Sequence, residues 1–189
     1  TVCDDAHYYL YIADILGKGD YAQAFSYLNL NIYPVILLIV HGFGFEWIIA
    51  GKLWGVLISS LTVLPMYGWI RRVFDKRIAL TACLLYVVHP ELIEVSIEPI
   101  RGPTFWFLMT MGLYLSYRAV TEVRLWLFIA TGIATALAIH TRSEGWLLFT
   151  PIVLWSCYRM SRFPNLRWKL SSGTAICLSM TPVLLVLVN

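Results

Sequence analysis

The feature that most constrains this chain is the apolar run from Trp47 to Ile70, which ends in Arg71 and Arg72. A hydrocarbon core is about 30 Å thick and needs roughly 20 apolar residues per helix, so this run is long enough to cross a membrane. The basic pair predicts, by the positive-inside rule, that the end of the run lies in the cytoplasm. Apolar residues make up 59% of the chain and charged residues 13%, which favours a membrane protein over a soluble domain.

Further apolar runs predict that the chain crosses the membrane repeatedly. They cover residues 78–88, 103–117, 125–139, 146–158 and 170–188. We therefore expect an all-α fold, a polytopic transmembrane helix bundle, with one membrane domain over residues 1–189. Residues 1–45 would form an external loop with juxtamembrane helices, and residues 46–189 about six membrane helices. The chain begins without methionine and stops directly after an apolar run, so we expect an N-terminal fragment of a longer protein.

The external segment has two candidate helices. The first begins at Asp4 and Asp5, carries aromatic and aliphatic residues at helical spacing, and ends at Gly17. It suits an amphipathic helix on the membrane surface. The second, from Tyr33 to Val40, is apolar but too short to cross, which favours a re-entrant or interfacial segment.

Charge is distributed unequally between the two predicted sides of the membrane. Most lysines and arginines fall on the cytoplasmic side, whereas most acidic residues and all four histidines fall on the other. The net charge of +3 therefore implies no nucleic-acid partner. The four cysteines are widely spaced and form neither a disulfide framework nor a zinc pattern. The sequence thus implies no particular cofactor or metal.

Two outer connections, residues 89–101 and 140–144, combine many of the ionisable groups. The apolar runs beside them are short for a crossing, so we expect these connections to lie below the membrane surface. Irregular backbone at that depth is tolerated around a protein-lined cavity containing water. Ionisable side chains in such a place suggest a functional site.

Each candidate residue also has a structural interpretation. Glu91 and Glu94 could be solvated at a helix end, whereas Glu98 is held before a proline and close to Arg101. Arg101 itself could be an interfacial residue whose charged end reaches the water.

The spacing of the remaining candidates does not by itself decide between a structural and a functional role. Arg142 and Glu144 could form a structural ion pair. His89 and His140 stand at helix ends, where structural roles are commoner than metal binding. The acidic pair at the start of the first helix could stabilise that helix or supply a catalytic base.

The order of these motifs resembles a known family. Five segments resemble, in order and predicted membrane side, segments of polyprenyl-phosphate-sugar-dependent glycosyltransferases of the GT-C fold. They are DDAHYY (4–9), YP (33–34), YGWIRRVF (67–74), EPIR (98–101) and TRSEG (141–145). That group includes protein mannosyltransferases, lipid A aminoarabinose transferases and rhizobial galacturonosyltransferases. The resemblance covers about residues 4–155, and it departs at Asp5, where the family usually has glutamate.

The resemblance implies an inverting transfer of sugar from a polyprenyl-phosphate carrier to an acceptor hydroxyl. Asp4 matches the catalytic aspartate, and Asp5 would orient it or the acceptor. A guanidinium would stabilise the leaving phosphate, with Arg101 and Arg142 as the candidates. Glu98 and His89 would assist Arg101 or contact the sugar, and Glu144 accompanies Arg142 in the substrate-binding set.

The implied partners are a polyprenyl-phosphate-linked sugar donor, an acceptor that is a glycan, lipid or protein, and membrane lipids. We expect a multi-pass protein of the bacterial inner membrane with its site facing the periplasm. The alternative is a secondary transporter or another polytopic membrane protein with a charged cavity inside the membrane. A transporter also builds its site from broken helices and charged residues. The clustering of charge toward one face and the lack of a visible inverted repeat argue against it.

Overall fold

The computed structural model describes residues 4–28, 31–122, 124–148, 150, 154 and 158. Every element within these residues is helical, which confirms the all-α prediction. In chain order they are α1 (Asp4–Gly17), α2 (Tyr21–Leu28), α3 (Tyr33–His41), α4 (Trp47–Val73), α5 (Lys76–Val88), α6 (Pro90–Ser96), α7 (Gly102–Glu122), α8 (Leu125–Thr141) and a short 3-10 turn (Ser143–Gly145). The predicted span 146–158 lies largely outside the described residues, and the span 170–188 lies wholly outside them.

The chain divides into two compact units, residues 1–107 and residues 108–189. The first contains α1 to α6 and the beginning of α7. The second contains the rest of α7, α8 and the turn after it. Each unit is described by itself.

Helix α1 packs against α2 and α3 through two neighbouring faces. One face contributes Tyr9, Leu10 and Ala13 to a buried cluster with residues of α3. The other contributes aliphatic residues that pack against α2 and α3, namely Ile12, Ile15 and Leu16. Spacings of three and four residues place each set on one side of the helix. The predicted helix and its end at Gly17 are confirmed, and part of its apolar surface is covered by protein.

Helix α4 is the one helix among the described residues that is long and apolar enough to cross a membrane by itself. Its bounds, Trp47–Val73, agree with the predicted run and include the basic pair in the last turn. Helix α8 is apolar but shorter than a full span. The sequence-based prediction of about six membrane helices therefore remains a prediction.

Helices α5 and α6 form a bent pair. Asp75 starts α5 by accepting a hydrogen bond from the backbone N–H of Ile78 at 2.8 Å. Pro90 begins α6, and the two helix axes meet at 61°. Proline has no N–H to continue a preceding helix but fits the first turn of a new one, which accounts for the break. Together the pair is long enough for a broken span or a re-entrant loop.

In the second unit, the end of α7 packs against the beginning of α8. Ala119 of α7 is buried with Leu127 and Phe128 of α8. Arg118 forms a two-point ion pair with Glu122, with nitrogen–oxygen distances of 2.6 and 3.0 Å. This contact holds the last turn of α7.

Candidate active site

The first turn of α1 presents the acidic pair. Asp4 is the first residue of the helix, and Asp5 follows with an exposed side chain. The side chain of Asp4 lies outside the described part of the structure. Carboxylates are favoured at this position because the free backbone N–H groups give a helix N-terminus partial positive charge.

Tyr9 lies one turn after Asp5 on the same side of α1. Its side chain is only 5% exposed. Its ring meets the ring of Tyr8 edge-on at 5.7 Å and that of Tyr33 edge-on at 5.4 Å, measured between centroids. Such edge-to-face pairs are a favoured arrangement of aromatic rings, so Tyr9 is fixed in position.

Arg101 lies against this ring. Its guanidinium carbon is 5.7 Å from the centroid of Tyr9, within the range of a cation–π contact. Arg101 is half-buried and belongs to the connection between α6 and α7. The fold therefore brings an arginine, more than ninety positions away in sequence, to the helix that starts with the acidic pair.

Two glycines of α4 let the end of α6 and the α6–α7 connection approach α4 closely. A methyl group added at Gly51 would lie under 3.0 Å from the Pro99 side chain, and one at Gly55 would lie under 3.0 Å from the Ser96 carbonyl oxygen. The missing side chains thus let this connection lie directly on α4. Nearby, the Trp54 indole donates a 2.8 Å hydrogen bond to the Thr104 hydroxyl. This bond joins α4 to the beginning of α7.

Glu98 and His89 belong to the same unit. Glu98 is half-buried, and its backbone carbonyl accepts a 2.8 Å hydrogen bond from the Ile100 N–H. His89 is exposed at the break between α5 and α6, and its side chain does not cap α6. The prediction that His89 stands at a helix end is confirmed, while His140 lies in the last turn of α8.

Arg142 and Glu144 form an ion pair in the second unit. The guanidinium donates to both carboxylate oxygens at 2.5 and 3.2 Å. The hydrogen bond from Arg142, supported by backbone and Ser143 hydrogen bonds, lowers the pKa of Glu144 to about 2. Gly145 makes this turn possible, because a methyl group there would lie 2.5 Å from the backbone nitrogen of Ile139. The structural pairing considered from the sequence is therefore present, with both side chains partly exposed.

Among the described residues, no group of three or more histidine, cysteine or acidic side chains is gathered as a metal site.

The candidate site of the first unit consists of the α1 N-terminus, Tyr9 and Arg101, with Glu98 on the same connection as Arg101. Its charged groups are suited to proton transfer and to binding an anion.

Comparison with known families agrees with the family resemblance of the sequence. The family model for dolichyl-phosphate-mannose-protein mannosyltransferases matches residues 33–186. The chain belongs to this family. As a member of the mannosyltransferase family, it is a membrane glycosyltransferase. No curated protein and no solved structure matches the chain.

The matched range contains every predicted substrate-binding residue of this mannosyltransferase-family chain: His89, Glu98, Arg101, Arg142 and Glu144. It begins after the acidic pair, so Asp4 and Asp5 remain candidates that rest on the resemblance of residues 4–9. The predicted transferase class is confirmed at the level of the family.

Sequence reasoning did not single out Tyr9, Trp54 or Thr104 as site residues. A signal for Tyr9 was present, because it follows Asp5 by four residues and shares its helix face. The bond between Trp54 and Thr104 joins residues 50 positions apart. No local sequence pattern predicts a hydrogen bond between residues so far apart.

Proposed function

We propose that this mannosyltransferase-family chain transfers a sugar from a polyprenyl-phosphate carrier to an acceptor hydroxyl, with inversion at the anomeric carbon. The observation that carries the proposal is the position of the Arg101 guanidinium on Tyr9, one helical turn from the acidic pair. This reaction needs a base at the attacking acceptor oxygen and a cation at the leaving phosphate, on opposite sides of the anomeric carbon.

The acidic pair supplies the base in this proposal. Asp4 accepts the proton of the acceptor hydroxyl as that oxygen attacks the anomeric carbon. Asp5 orients Asp4 or the acceptor through a hydrogen bond. The exposure of Asp5 is suited to a group that meets a substrate arriving from water.

Arg101 stabilises the leaving group in this proposal. The bond from the anomeric carbon to the phosphate oxygen breaks, and negative charge grows on the phosphate. A guanidinium binds a phosphate through two parallel hydrogen bonds and is weakly hydrated, which suits a half-buried position. Glu98, three residues before Arg101, positions it or contacts a sugar hydroxyl, and His89 is a further contact.

Arg142 and Glu144 provide a second charged group for the substrate. Their ion pair is partly exposed, and pairs of that kind contribute only about 0–1 kcal/mol. A phosphate or sugar hydroxyl can therefore replace one partner at little cost. We propose that Arg142 binds the donor or acceptor in this way.

The proposed location is a bacterial inner membrane, with the site facing the periplasm. The support is the charge distribution of the sequence, since the basic residues in the last turn of α4 mark the cytoplasmic end. The acidic pair and the histidines then fall on the opposite side. The family assignment favours this transferase over the secondary transporter that broken helices alone would also permit.

The test uses the full-length protein in vesicles supplied with a mixed pool of polyprenyl-phosphate sugars, mannose among them. Mass spectrometry follows the free polyprenyl phosphate that is released. We expect release by the wild type, loss of release in Asp4→Asn, and normal release in Asp14→Asn, which changes an acid of the same helix that is paired with Lys18. Absence of release from every donor would contradict the proposal.

A further inference from the structure

Tyr9 lies between the hydrophobic core of the first unit and a charged group. Its ring packs in a buried cluster with Leu10, Ala13 and two residues of α3. The guanidinium of Arg101 lies over the same ring. A core tyrosine needs only the first of these contacts, so the second points to an additional role.

An arginine side chain is long and has many rotamers, so a specific position for its charged end must be enforced by its surroundings. The face of an aromatic ring carries negative charge density and attracts a cation, most strongly where water is partly excluded. Arg101 is half-buried beside a tyrosine that is almost wholly buried. The ring therefore restricts where the guanidinium can lie.

The ring of Tyr9 is also held by a second aromatic ring. Tyr33 is fully buried and meets it edge-on, at 83° between the ring planes. Burial raises the pKa of the Tyr33 phenol, and the neighbouring Tyr9 adds to this rise. The Tyr33 hydroxyl makes no hydrogen bond within the described part of the chain. Tyr33 therefore contacts Tyr9 through its ring and not through a hydrogen bond from its hydroxyl.

We propose that Tyr9 is a positioning residue that sets the Arg101 guanidinium for the leaving phosphate through the face of its ring. This inference rests on the proposed transferase function. Tyr9 acts through Arg101 and does not touch the reacting atoms. A misplacement of about 1 Å in such a group can cost on the order of a hundredfold in rate, so its placement matters as much as its charge.

The inference predicts that turnover depends on the electrostatics of the Tyr9 ring through Arg101. In the full-length protein, position 9 is replaced by phenylalanine and then by phenylalanines with progressively more ring fluorines, which weaken the negative ring face with little change in shape. We expect kcat for polyprenyl-phosphate release to fall stepwise along the series, by roughly tenfold overall. Tyr9→Phe itself should remain within about threefold of the wild type, because the ring face is kept.

A double-mutant comparison gives the second readout. On an Arg101→Ala background, the fluorinated series should have no further effect on kcat, because the cation that interacts with the ring face is absent. Leu37→Ala, which alters the same buried cluster without touching ring charge, serves as the control. Its effect on release should persist on the Arg101→Ala background.

The outcomes are distinguishable. A wild-type protein that releases no carrier from any donor contradicts the proposed function. A wild-type protein that is active, with a kcat that does not change along the fluorinated series, overturns the positioning role of Tyr9 alone. A series that lowers kcat equally with and without Arg101 also overturns it, since the ring would then act independently of the guanidinium.

Discussion

Gly55→Ala is the substitution that most sharply tests how α4 positions the site. The added methyl group would lie under 3.0 Å from the Ser96 carbonyl oxygen and at 3.4 Å from that of Glu98. Both neighbours are backbone atoms, which cannot rotate away as a flexible side chain can. The connection that carries Arg101 must therefore move.

The size of the effect follows from the geometry. Ordinary contacts begin near 3.4 Å, so the connection must retreat by roughly 0.5–1 Å. Overpacking of this kind costs about 1–3 kcal/mol of stability. A displacement approaching 1 Å at Arg101 lowers turnover by up to about a hundredfold.

Gly102→Ala is the matched control. Gly102 is directly next to Arg101, but a methyl group there meets side-chain atoms only at 3.8 Å or more. The assay compares kcat for polyprenyl-phosphate release and the thermal midpoint in detergent for both variants. We expect Gly55→Ala to lose turnover and Gly102→Ala to retain it. Equal turnover in the two variants would refute the claim that contact with α4 positions Arg101.

Three further changes test individual contacts, each by the free energy of unfolding in detergent. Tyr33→Phe removes a buried hydroxyl that is unbonded among the described residues, so stability should rise by roughly 1 kcal/mol; a clear loss would show that the hydroxyl is bonded. Asp75→Ala removes the hydrogen bond to the Ile78 N–H and should cost about 1 kcal/mol, most of which Asp75→Ser should restore. Glu144→Gln should cost at most about 1 kcal/mol at pH 7, because the pair with Arg142 is partly exposed. Because the folded pKa of Glu144 is depressed from 4.5 to about 2, this difference should be present above pH 4.5 and fade as the pH falls toward 2; a difference unchanged across that range would contradict the assignment.

The helices could be predicted because their signals are local. The run that forms α4 is long and mostly apolar and ends in two arginines, and the structure follows those bounds. The end of α1 at Gly17 was likewise indicated by a single residue with strong backbone preferences, and the predicted apolar run 78–88 ends where α5 ends. Such features depend on a few neighbouring residues, so they can be predicted without knowledge of the tertiary structure.

The sequence indicated candidate charged residues for a site but not their contacts. The sequence singled out Arg101 and the acidic pair, because ionisable residues are rare in a chain this apolar. It did not show that Arg101 lies on Tyr9, because that contact depends on how closely the connection after α6 approaches α4 at Gly51 and Gly55. Close approach is a property of packing, and a glycine within a helix does not by itself reveal which backbone lies against it.

The pair of Arg142 and Glu144 shows the limit of spacing arguments. Two residues apart at a helix end, these side chains could have been separate ligands or one ion pair. The short turn, which only glycine at position 145 permits, brings them together. Their role toward a substrate remains a proposal that rests on the family and on their exposure.

The most direct test of the central claim is chemical rescue at Arg101. With the donor that the wild type uses, polyprenyl-phosphate release is measured for Arg101→Ala with and without added guanidinium ion, and with tetramethylammonium as the control cation. If Arg101 stabilises the leaving phosphate, the substitution should lower release by about a hundredfold or more, and guanidinium alone should restore part of it. Release by Arg101→Ala at the wild-type rate would contradict the account.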